Sequence, residues 1–157
     1  MRVVSHITAS AAGAAAAASI SGPSAGLGFL ILGSMIDIDH IPIFVSSGLP
    51  FNPRSILNSV LKNHRQLREK HQLRDLVPGS WIFPAFHSVE LILFLVTVGI
   101  ISGSQFLVWG GAGMVLHLLM DIRSYPCSPR FFSILWRLFN WNKLAKAWKV
   151  HRSKIEW

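Results

Sequence analysis

Apolar and polar positions divide this 157-residue chain into two apolar blocks separated by hydrophilic sequence. Neither block carries a cation, since no lysine or arginine occurs at positions 3–53 or 75–122. A turn signal interrupts each block, Ser21-Gly22-Pro23-Ser24 in the first and Ser102-Gly103-Ser104 in the second, and cuts it into two pieces of helix length. The pattern predicts apolar helices near residues 4–20, 24–40, 85–101 and 105–122, each close to the roughly 20 residues that carry a helix across the hydrocarbon of a bilayer. The expected fold is all-α: a four-span helical membrane bundle of two transmembrane hairpins with cytoplasmic amphipathic helices, a single membrane domain over residues 1–157. The Ala-rich run at 9–18 also fits a cleaved signal peptide. Against that reading, His6 is foreign to the apolar region of such a peptide, and a second apolar segment follows at once. Small residues at Gly13, Ala17, Gly26 and Gly33 are expected to let the first two helices approach closely and bring His6 beside Asp37.

Charge adds a direction to this picture. Lysine and arginine number 15 against 7 acids, and charged residues make up only 14% of the chain while 51% is hydrophobic. That balance excludes a disordered chain. The cations gather at 54–74 and 123–154, with Arg2 besides. By the positive-inside rule both termini and the loop near 43–84 are cytoplasmic, which predicts a multi-pass protein of the inner (cytoplasmic) membrane. Within 54–77, Leu57, Val60, Leu61, His64, Leu67 and His71 recur at helical spacing, predicting an amphipathic helix on the anionic cytoplasmic leaflet. The tail at 123–157 alternates cations with Phe131, Phe132, Trp136, Phe139, Trp141, Trp148 and Trp157, the pattern of an interfacial segment. The expected partners are therefore membrane lipids, with no nucleic acid. Cys127 is the single cysteine, so an internal disulfide and a cysteine-based zinc finger are both excluded.

Ionisable residues inside the apolar blocks carry the candidate chemistry. Asp37, Asp39, Glu90 and Asp121 lie there with His6, His40, His87 and His117, and in the predicted topology all stand at the cytoplasmic ends of their spans. Such residues are costly in a bilayer unless they pair, bind an ion or line a polar cavity. His117 and Asp121 are four apart, while Asp37 and His40, and likewise His87 and Glu90, are three apart, so each pair is expected on one helical face. Converging imidazoles and carboxylates form the ligand set of a divalent ion, zinc foremost, with manganese or iron as alternatives and room for one or two ions. A conduction path would spread these groups through the membrane depth. Their clustering at one end favours a site that opens to the cytoplasm, although a structural metal, a plain His/Asp network and a small ion transporter use the same residue types.

Four short motifs, His6 before a small-residue helix, Asp37-Ile38-Asp39-His40-Ile41-Pro42, His87-Ser88 and His117-Leu118-Leu119-Met120-Asp121, occur in an order that resembles the bacterial and archaeal membrane-bound metal-dependent hydrolases of the YdjM-like, LexA-regulated inner-membrane type. That family is distantly similar to the zinc-dependent phospholipase C and single-strand nuclease superfamily. The resemblance implies a hydrolase acting on a phosphoester, such as a lipid or isoprenoid phosphate. It further implies His6, Asp37, Asp39, His40, His87, His117 and Asp121 as metal ligands, with Asp39 or Glu90 as general base or orienting group. The chain departs from the family at Ile82, where many members carry a further histidine, so that ligand is either missing or supplied by Glu90, His64 or His71.

Overall fold

A computed structural model describes residues 3–40, 85–124 and 129–144. The fold is all-α among these residues. Helix α1 (Val3–Ser21) turns at Gly22 into α2 (Pro23–Met35), which continues as a 3-10 helix, Ile36–His40. Helix α3 (Val89–Ser102) turns at Gly103 into α4 (Gln105–Ser124), and a second 3-10 helix, Pro129–Phe132, leads into the short α5 (Ile134–Phe139). The predicted loop helix over 54–77 and the parts of the tail at 125–128 and 145–157 lie outside the described residues.

Both hairpin turns follow from local chemistry. Gly22 has φ +91° and Gly103 φ +68°, values that a side chain disfavours. Pro23 then starts α2, where a missing N–H costs nothing. At the start of α3 the Ser88 hydroxyl caps the helix by accepting the Leu91 N–H, so regular helix begins at Val89. This corrects the expectation that His87 and Glu90 share one helical face: His87 precedes the helix and Glu90 is in its first turn. Past Met35 the tighter 3-10 winding, in which residues three apart eclipse one another, turns Asp37 and Asp39 toward different sides.

Close packing of α2 against α4 joins the hairpins. A Cβ on Gly28 would run into the backbone of Phe106, one on Gly113 into the carbonyl of Phe29, and one on Gly33 would stand 3.1 Å from the Gly113 backbone. Gly26 does meet α1, at Ala14 and Ala18, but Gly33, expected against α1, packs on α4 instead. Ile36, Ile92, Met114, Leu118 and Phe132 form one core cluster, and Ala14, Ala17, Ala25 and Phe29 a second. Overfilling this seam forces backbone to move, so Gly113→Val is expected to lower unfolding stability by about 1–3 kcal/mol. Ile101→Ala, at a side chain 82% exposed, should change it by less than about 0.5 kcal/mol. Denaturant titration of the detergent-solubilised variants checks both, and equal stabilities would contradict the close-packed seam.

One helix among the described residues, α4 over Gln105–Ile122, is long and apolar enough to cross a membrane. Helices stand at all four places the pattern predicts. The turns at Gly22 and Gly103 close one end of the hairpins, and the Asp37–Asp39 segment, His87 and the last turns of α4 meet at the other.

Candidate metal centre

Residues His117 and Asp121 stand one turn apart on α4, and each is 2% exposed. Nδ1 of His117 lies 2.9 Å from the carbonyl oxygen of Gly33, an atom that can only accept, so Nδ1–H donates, and when the ring is neutral Nε2 carries the lone pair. That Nε2 is 3.4 Å from Oδ2 of Asp121 and 3.4 Å from Oδ1 of Asp37. The Gly33–Gly113 approach makes this contact possible, because it brings the α2 backbone within reach of an imidazole on α4.

His87 is fully buried and held by a second device. Oδ2 of Asp39 accepts the backbone N–H groups of Phe86 at 2.8 Å and His87 at 3.1 Å, and lies 3.1 Å from His87 Nδ1. With Nδ1–H donated to a carboxylate, Nε2 of His87 faces Oδ2 of Asp121 at 3.4 Å. A carboxylate behind a histidine fixes the ring's tautomer and orientation and raises its basicity as a ligand. His6, its side chain 12% exposed, places Nε2 3.4 Å from the other Asp121 oxygen, and its ring centre is 4.4 Å from that of His117.

The four 3.4 Å contacts between a ring nitrogen and a carboxylate are longer than a charge-assisted hydrogen bond, which closes to about 2.7–2.9 Å. Ligands placed about 2.0–2.1 Å from a tetrahedral ion stand about 3.4 Å from one another. Nδ1 of His6, Nε2 of His117 and Oδ2 of Asp121 are buried without a hydrogen-bond partner, a condition that costs about 1–3 kcal/mol for each atom. A cation beside Nε2 of His117 and Oδ2 of Asp121 would satisfy both of those atoms at once. His6, His117 and Asp121 form one group able to hold a metal ion, and Asp37, His87 and His117 form another that shares His117.

The expected site residues thus separate by role. His6, Asp37, His87, His117 and Asp121 converge. Asp39 stands behind His87 rather than among the ligand groups. Glu90, expected to be catalytic, is committed elsewhere: its carboxylate accepts the Ser133 hydroxyl, the Ile134 N–H at 2.9 Å and the Leu135 N–H at 3.2 Å. Helix starts leave such donors unsatisfied, and the Glu90 carboxylate on α3 satisfies those of α5. The side chain of His40, together with His64, His71 and Ile82, lies outside the described residues.

Reading the sequence missed the Gly33 carbonyl, since a backbone atom carries no signal of residue type, although the glycines flanking it announce a close approach. It also missed Arg137, a cation 3% exposed on a segment read as interfacial. No family model, curated protein or solved structure matches the chain significantly.

Proposed function

We propose that this protein is a membrane-embedded metal-dependent hydrolase of the phosphoester class, with a lipid or isoprenoid phosphate as substrate and its site facing the cytoplasm. The observation that carries the proposal is the meeting of Nε2 of His87 and Nε2 of His117 on one carboxylate, Asp121, each with Nδ1 engaged behind it. Two lone pairs aimed at an anion make sense around a cation. Nitrogen and oxygen donors in this mixture suit zinc first, then manganese or iron. The phosphoester class rests on the resemblance of the four motifs.

Surface composition supports the membrane reading. Ile7 and Ile20 on α1, Leu27 and Ile31 on α2, Leu93, Phe94, Ile100 and Ile101 on α3, and Val115 and Leu119 on α4 are all exposed. Large apolar side chains exposed on four helices at once suit a lipid-facing surface. At about 1.5 Å per residue, and about 2.0 Å in 3-10 winding, α1 extends about 28 Å and α2 with its extension about 30 Å, against about 30 Å of hydrocarbon. Helix α3 is shorter, about 21 Å. The positive-inside rule, applied to the basic residues of 54–77 and the tail, supports a cytoplasmic ligand end.

When bound, a divalent ion acidifies water toward neutral pH and offsets charge developing on phosphoryl oxygens. The chain's own residues do the rest. Asp39 holds His87 in register, Gly33 does the same for His117, and Asp37, whose side chain is 52% exposed, marks the side from which substrate enters. The lysines and arginines of the loop draw an anionic substrate to that face.

Turnover of a short-chain lipid phosphate and a membrane-impermeant phosphomonoester in sealed vesicles tests this. Inverted vesicles should hydrolyse at least one, chelator should stop the reaction and zinc restore it, while right-side-out vesicles should leave the impermeant substrate intact. Full metal occupancy without turnover of phosphomonoesters, pyrophosphates or lipid phosphates would make the metal structural and defeat the hydrolase reading.

A further inference from the structure

Glu90 is the acid of the apolar blocks that the proposed chemistry leaves unused, and its carboxylate builds the start of α5. It accepts the Ile134 N–H at 2.9 Å, the Leu135 N–H at 3.2 Å and the Ser133 hydroxyl, while Oγ of Ser133 accepts the Trp136 N–H at 3.1 Å. The first three amide donors of the helix are thereby met. A helix of six residues cannot stand on propensity alone, since isolated helices shorter than about 12–15 residues are marginal in water. Helix α5 therefore depends on the acid that α3 supplies to its opening turn.

Forming α5 sorts the side chains of the segment. Phe131 and Phe132, expected from the sequence to be interfacial, are buried, and Phe132 packs with Ile36 and Ile92 at the ligand end. Leu135, Leu138 and Phe139, three and four apart, share a face and are exposed, Phe139 at 89%. Trp141 is exposed beyond them, and Arg130 and Lys143 are exposed on either side. A surface helix of a soluble protein buries its apolar stripe. Helix α5 instead turns three large apolar side chains outward and Arg137 inward. Val89, Leu93 and Phe94 are exposed on the first two turns of α3, so apolar surface lies on both sides of the Glu90 junction. Apolar side chains flanked by cations match a leaflet with apolar chains and anionic headgroups.

We propose that α5 is a lipid-docking helix: Glu90 fixes it to the start of α3, so that Leu135, Leu138 and Phe139 enter the cytoplasmic leaflet and anchor the ligand end there. This rests on the membrane reading proposed above, but neither on the metal nor on the reaction.

Fluorescence quenching tests it on the full-length chain with Cys127→Ser, in nanodiscs of phosphatidylcholine and phosphatidylglycerol. A bimane label is placed at Phe139→Cys or, as a reference on α3, at Leu93→Cys. Both labels are expected to be quenched by lipids with spin-labelled chains and shielded from acrylamide in the water. Adding Glu90→Ala strands two backbone donors of α5, so the label at 139 should lose its lipid quenching and become open to acrylamide while the label at 93 stays unchanged. A label at 139 that acrylamide already quenches in the parent overturns the proposal. The label at 93 then decides the membrane reading, which survives if lipid quenches it and falls if only acrylamide does. Shielding of position 139 from both quenchers also overturns the proposal, because a second copy or another protein then covers the face. Unchanged lipid quenching at 139 in Glu90→Ala overturns the role of Glu90. Should that variant fail to fold, Ser133→Ala, which removes both hydroxyl contacts, decides by the same readout.

Discussion

Protein carrying His117→Ala is expected to purify without stoichiometric divalent metal and to show no phosphoester turnover. His117 belongs to both groups able to hold an ion, and its Nε2 meets Asp121 and Asp37 at 3.4 Å each, so its removal dismantles both groups together. Losing an outer partner of a ligand costs about 10–100-fold in metal affinity, and losing the shared ligand should cost more. Asp121→Asn refines the test. It keeps the shape and one acceptor oxygen while removing the charge on which His6, His87 and His117 converge, and metal content should fall as it does in His117→Ala. Metal-free stability should move far less than metal-loaded stability, because a ligand stabilises the fold it binds in proportion to the logarithm of its excess over Kd. Elemental analysis beside thermal unfolding, with and without zinc, checks both claims. Stoichiometric metal in a variant carrying both His117→Ala and Asp121→Asn would place the site elsewhere.

The helical pieces and their turns were legible because they rest on composition and on two glycines that must adopt positive φ. His117 and Asp121 were legible as a pair because four residues of α-helix bring them to one face, and that spacing survives in α4. The other pairs depended on where helices stop. Ser88 starts α3 one residue after His87, and this single cap breaks the expected His87–Glu90 pair. It sends His87 to Asp39 and Asp121 and leaves Glu90 to the start of α5. Which helix meets which was less legible still. The small residues of α2 suit α1 and α4 equally by type, and only their angular positions decide that Gly33 serves Gly113 and His117 while Gly26 serves Ala14. Arg137 illustrates a further limit: a cation among exposed aromatics reads as a surface residue until Phe131, Phe132 and Glu90 draw its segment inward.

Acidification is expected to strip the metal steeply, and the direction follows from which protonation state binds. Imidazole is a ligand only when neutral, so each proton that a ligating histidine takes up competes directly with the ion. Three histidines converge here, His6, His87 and His117. Each bound histidine that is protonated in the metal-free protein contributes about a tenfold loss per pH unit as pH falls, up to about a thousandfold for all three. Stability conferred by metal must follow the same course, lost as pH falls. Competition with a chromogenic chelator from pH 8 to 5 measures the slope. A slope near three supports a centre using all three rings, and a slope near one would leave a single histidine on the ion. In His6→Gln the slope should fall by one unit while binding persists at pH 8, because His87 and His117 still meet on Asp121 with their outer partners in place. An unchanged slope in that variant would remove His6 from the centre and leave the ion to α4, Asp37 and His87.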